Sequence, residues 1–231
     1  LNLFFGPAVN AARGIAVQVQ GAVTQFSTNF QTAINPQITK SYAVGDYAYM
    51  HSLIFHSSKF TFLLLATISF PVLLETEMIL QLWLETVPNY TAVFVRLMLC
   101  TTIIDAMAGA FMVSAQATGA VRVYQSVVGG ILLTIVPVSY IVLKMGAEPW
   151  SVFIVHLCVC ILAFAVRLFI LCRMIHLSLS GYFTKVLLRC MGVLIIALPL
   201  PLILLYFLSD TFINSILVCL SGLLAMLFSS Y

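Results

Sequence analysis

Amide, hydroxyl and guanidinium side chains recur along a single helix-length segment, Val9 to Ile34. At roughly 100° per residue, Asn10, Arg13, Gln18, Gln20, Thr24, Gln25, Thr28, Asn29, Gln31 and Thr32 gather on one face. Ala12, Ile15, Ala16, Val19, Ala22, Val23, Phe26, Phe30, Ala33 and Ile34 take the opposite face. In a chain that otherwise reads as membrane-embedded, such polar groups are too costly to point at lipid, so they must face protein or a water-filled cavity. The pattern predicts a transport path.

The remaining chemistry-bearing residues are few. Asp105 falls near the middle of a predicted span, where a carboxylate is paired, protonated or facing water, so both a structural pairing and a coupling or substrate role are open. Arg13 shares its face with Gln20 and Gln31, about one turn below the outer end of its helix. Lys59, Arg167 and Arg189 lie within a few turns of the predicted cytoplasmic surface, where snorkelling to the headgroups is expected, with cavity lining as the alternative. Arg96 sits similarly at the outer surface and could pair with Glu85. His51, His56, His156 and His176 lack a spacing that brings two onto one helical face beside an acid, which argues against a metal site. His51 and His56 are expected in the cytoplasmic connector. The six cysteines lie in or at the ends of apolar runs and are expected to be buried. Gly14 and Gly21 could admit a neighbouring helix or leave room for a bulky ligand, close packing being the expectation.

These groups must be positioned by membrane helices. The chain is 62% apolar and only 7% charged, with a mean hydropathy of +1.13, far from a soluble domain with about 25% charged residues. The net charge of +3 does not suggest nucleic acid. At about 20 apolar residues per crossing, six spans follow the amphipathic segment: Leu53–Leu74, Thr91–Val113, Val121–Leu143, Trp150–Leu171, Lys185–Phe207 and Thr211–Leu227. Pro71, Pro137, Pro199 and Pro201 fall inside these stretches, as packing kinks or as gating elements. Glu75 to Pro88, with Trp83 and Glu85, reads as a short interfacial helix. Leu1 to Phe5 read as the tail of a preceding helix that turns at Gly6 and Pro7, which predicts a longer protein with a missing upstream half. Lys and Arg cluster in alternate connections, placing those on the cytoplasmic side and the entry of the amphipathic helix outside. Asn89-Tyr90-Thr91 is a glycosylation sequon by pattern only.

Ordered blocks along nearly the whole chain carry a resemblance. Phe4-Phe5-Gly6-Pro7, Asn10-Ala11-Ala12-Arg13-Gly14-Ile15-Ala16, Asn29-Phe30-Gln31-Thr32-Ala33 and Asn35-Pro36-Gln37-Ile38-Thr39-Lys40-Ser41-Tyr42 come first. Leu82-Trp83-Leu84 with Val87-Pro88, then Gln116-Ala117-Thr118-Gly119 and Tyr124-Gln125, follow. Together they resemble bacterial Wzx-type polysaccharide flippases of the multidrug/oligosaccharidyl-lipid/polysaccharide exporter superfamily.

The resemblance implies an all-α membrane protein of about seven transmembrane helices, the second bundle of a two-bundle transporter of 12–14 helices. Residues 1–173 would form the C-terminal six-helix bundle lacking most of its first helix, and residues 174–231 two additional helices. It implies transfer of an undecaprenyl-diphosphate-linked oligosaccharide from the inner to the outer leaflet of the bacterial cytoplasmic membrane, for O-antigen or lipopolysaccharide biosynthesis. Arg13 matches the arginine-bearing helix motif and inherits a role against diphosphate or acidic sugars. Asn10, Gln18, Gln20, Gln25, Asn29, Gln31 and Asp105 are assigned to the substrate cavity by the wheel and by depth alone. Neutral amides suit a sugar headgroup, and arginine suits a diphosphate in bidentate geometry. Expected partners are the lipid-linked oligosaccharide, the bilayer, the missing N-terminal bundle and, as a candidate, the polysaccharide polymerase machinery; no cofactor, metal or nucleic acid is expected. Residues 1–231 alone are expected not to transport. The alternative is a cation-coupled drug antiporter of the same superfamily, which would use acids for coupling where only Asp105 is suitably placed. An enzyme is the third reading, lacking a clustered acid, histidine and arginine site.

Overall fold

The computed structural model describes residues 2–199 together with Pro201, Ile203, Leu220, Ser221 and Leu224. Among them the only regular secondary structure is helical, as runs of about 20 apolar residues require in a medium that cannot hydrogen-bond a free backbone. Five helical stretches are long and apolar enough to cross a bilayer: Tyr47–Leu74, Thr91–Ala117, Val121–Lys144, Ser151–Ile175 and Leu179–Ala197. The protein is an all-α, multi-pass membrane-type fold. The expected span Thr211–Leu227 and most of 198–207 lie outside the described residues.

The first helix, α1 (Asn2–Val44), is not among those five, because its amides and hydroxyls leave it the least apolar of the long helices. Gly6, at φ 77° and ψ −172°, kinks it where Gly-Pro predicts a turn. Gly45 takes a positive φ of 79° to end it, and Asp46 accepts from the Tyr49 amide at 3.0 Å to start α2 (Tyr47–Leu74). This early start puts His51 and His56 inside the helix rather than in a connector. His56 turns back to the Ser52 carbonyl and His51 Nε2 reaches the Ile175 carbonyl at 2.9 Å.

α3 (Thr76–Trp83) is the short helix expected after the second span, with Leu82 and Trp83 outward. It also supplies the partners of Arg96. Nε donates to Thr76 Oγ1 at 3.0 Å and Nη2 lies 3.8 Å from Glu77, so the expected pairing with Glu85 is not made. The Thr91 hydroxyl of the sequon is buried against the Pro88 carbonyl.

The next spans are broken. α4 (Thr91–Met107) and α5 (Gly109–Ala117) meet at Ala108, and α6 (Val121–Leu133) and α7 (Ile135–Lys144) meet at Thr134, three residues before Pro137. α8 (Ser151–Ile175) is continuous. The last described span starts six residues before the expected Lys185. It comprises α9 (Leu179–Tyr182), a π turn (Phe183–Leu187) and α10 (Leu188–Ala197).

α1, α2, α4 and α8 form the packed centre, with Ile38, Met50, Ile54, Leu65, Phe94, Leu99 and Leu171 fully or almost fully buried. α1 buries a stripe of Ala12, Ala16, Val23, Ser27, Ile38 and Ser41, with Val9, Ile15, Val19 and Ile34 partly buried beside it, and the small members let neighbouring backbones approach. Ala22, Phe26 and Ala33, on the apolar face of the wheel, are exposed, because α1 borders the bundle and part of that face turns outward. Gly14 and Gly21 have no neighbouring atom within 4 Å of where a Cβ would stand, so the close packing expected of them does not occur. Of the cysteines, Cys160 and Cys190 are buried, whereas Cys158 is exposed on α8, against expectation.

Candidate functional site

The break at Ala108 sets the site. A helix interrupted inside a membrane frees carbonyls that need donors from elsewhere. Here Gln31 Nε2 of α1 donates to the Ala106 carbonyl at 3.0 Å, and Ser58 Oγ of α2 donates to the Met107 carbonyl at 2.9 Å. Gly109 makes the first contact possible, since a Cβ there would collide with the Gln31 amide.

One turn above the break, Asp105 meets Arg167 of α8, with Nη1 2.6 Å from Oδ1. Arg167 was expected to snorkel. Its side chain is only 15% exposed while that of Asp105 is 53% exposed, so the guanidinium turns inward to the carboxylate. Its Nε is buried without an acceptor among the described residues.

These groups open onto a cavity of about 410 Å³ between α1, α4, α5, α6 and α8. Gln20, Thr24, Thr28 and Gln31 come from α1, Thr101, Thr102 and Asp105 from α4, Tyr124 and Gln125 from α6, and His156, Cys160 and Arg167 from α8. Thr101 and Thr102 spend their hydroxyl protons on the carbonyls of Leu97 and Met98, and Thr24 and Thr28 likewise on Gln20 and Thr24. Their oxygens therefore present acceptors, while the amides of Gln20 and Gln125 carry both donors and acceptors.

A second cavity of about 590 Å³ lies toward the Asn2 end of α1, lined by Arg13, Ser139, Tyr140 and Phe153. Gln20 and His156 line both cavities, so the two adjoin as one path along α1, with Arg13 toward the Asn2 end and Arg167 farther along. Arg13 is exposed and makes no ion pair among the described residues.

The residues singled out from the sequence divide accordingly. Arg13, Gln20, Gln31 and Asp105 line this path. Asn10, Gln18, Gln25 and Asn29 do not line either cavity and are exposed, Gln25 donating to Asn29 at 3.1 Å. Gln18, Gln25 and Asn29 stand roughly 150° around α1 from Arg13, Gln20 and Gln31. The single polar face of the wheel is thus two stripes, one lining the path and one turned outward. Sequence reasoning passed over His156, Tyr124 and Gln125 as lining groups. A histidine more than one turn inside a largely apolar span was the available signal for the first.

No protein-family model, no curated protein and no solved structure matches the chain.

Proposed function

We propose that this protein is a flippase carrying an undecaprenyl-diphosphate-linked oligosaccharide from the inner to the outer leaflet of a bacterial cytoplasmic membrane by alternating access, for surface polysaccharide biosynthesis. The observation that carries the reading is the composition of the path between Arg13 and the Asp105–Arg167 pair, in which amide and hydroxyl groups are interleaved with apolar side chains and Arg13 is a cation without an ion-pair partner among the described residues. A sugar headgroup asks for many uncharged donors and acceptors, and a diphosphate for guanidinium. The polyprenyl tail stays in lipid while the headgroup crosses. The outward stripe of Gln18, Gln25 and Asn29 supports a second wall, since amides do not face acyl chains. In this proposal that wall is an N-terminal bundle of the same protein, residues 1–173 are its counterpart, and 174–231 are two added helices.

The cation-coupled antiporter is the alternative because Asp105 lines the path half-exposed. Against it, this carboxylate is already held by Arg167, so a coupling ion would have to displace the guanidinium from it.

Expression of Arg13→Ala and Arg13→Lys in cells lacking the native gene, at matched membrane levels, tests the proposal. Surface polysaccharide should fall about tenfold or more with alanine, the loss of one charge-assisted contact, while lipid-linked precursor accumulates, and lysine should restore part of it. Normal display with both substitutions would overturn the role of Arg13. Normal display on deletion of the gene would favour the antiporter.

A further inference from the structure

We propose that the cleft between α2 and the last described span is a binding site for the phosphate headgroup of an anionic membrane lipid. The cleft is a cavity of about 340 Å³ lined by Lys59 and His56 of α2 and by Lys185 and Arg189 of the π turn and α10. It shares no lining residue with the path between Arg13 and Arg167.

Three cations from two helices converge on this concavity, whereas lysines that merely snorkel diverge toward solvent. None of the three makes an ion pair among the described residues. Asp46, the acid at the start of α2, holds the Tyr49 amide and lines a different pocket with Gln37 and Lys40. Clustered positive charge without a protein counter-charge is repulsive, and an anion bound in the cleft removes that cost.

Depth decides which anion. From Phe60 to Leu74 α2 carries no charged residue, a stretch of about 22 Å at 1.5 Å per residue. The Lys59 stem supplies most of what is missing from a hydrocarbon core of about 30 Å. With α3 and Trp83 at the outer boundary, the cleft stands at the headgroup level of the opposite leaflet. Basic clefts between membrane helices at that level suit anionic headgroups.

The test uses the whole protein in detergent, with native mass spectrometry after addition of phosphatidylglycerol, phosphatidylcholine or inorganic phosphate. Retention of phosphatidylglycerol over phosphatidylcholine is expected, weakened about fivefold by each of Lys59→Gln, Lys185→Gln and Arg189→Gln, and roughly a hundredfold by the three together. The matched triple variant Lys40→Gln, Arg122→Gln, Lys144→Gln should keep the preference. Where the first triple fails to fold, its three single variants carry the test. Unchanged preference in those variants, or an equal loss in the matched triple, would overturn the proposal. So would displacement by inorganic phosphate with no discrimination between the two lipids, which would make the site one for free phosphate.

Discussion

Asp105 and Arg167 share a bond unequally. The guanidinium is mostly enclosed and the carboxylate half-open to the cavity, so the two partners are not equally costly to lose. Asp105→Ala strands an enclosed cation, whereas Arg167→Met leaves a carboxylate that water can reach and keeps most of the side-chain volume. Thermal denaturation in detergent should give a loss of about 2 kcal/mol for Asp105→Ala and about half that for Arg167→Met, with the double variant recovering part of the larger loss. Equal and additive losses would show that the pair contributes no mutual stabilisation. The pairing illustrates what single-sequence reading can reach. Asp105 is conspicuous on its own because one carboxylate in an apolar run demands an explanation. Its partner is 62 positions away on a different helix, and Arg167 near a helix end satisfies the snorkelling rule well enough to look explained.

At the scale of helices, apolar runs announced the spans and the Gly6-Pro7 step announced the kink, because both are local properties of the chain. The break at Ala108 had only a weak signal: Gly109 stands beside it, but no proline or polar cluster marks it, and its carbonyls are satisfied by α1 and α2. Gly109 is the residue on which that arrangement turns. Gly109→Val should force Gln31 away from the Ala106 carbonyl and destabilise the protein by about 2 kcal/mol through overpacking and a lost hydrogen bond. In a Gln31→Ala background the same substitution should cost markedly less. An unchanged cost, read from melting temperatures of the four proteins, would place the clash elsewhere. The helical wheel of α1 was legible in the same partial way. It correctly separates polar from apolar residues, yet it has no means of telling which part of a polar arc is covered, since that depends on where α4 and α8 stand.

Across the whole molecule, the polar stripe of α1 that faces outward predicts water where the apolar surfaces of a membrane protein predict lipid. In a variant without native cysteines, Gln25→Cys and Asn29→Cys in intact membranes should react with a charged maleimide about tenfold or more faster than Leu162→Cys, an exposed position on α8. Equal, slow labelling at all three would mean that the stripe is sealed. The latch at Ala108 adds a constraint on motion. Because α1 and α2 each hold a carbonyl at the break, those helices and α4 cannot slide past one another without surrendering two hydrogen bonds, of which the one from Ser58 is buried where water offers no replacement. In the proposed alternating-access cycle they would move as one solid block, and the seam that parts would run along the outward stripe of α1, making that strip of amides the door edge rather than the hinge.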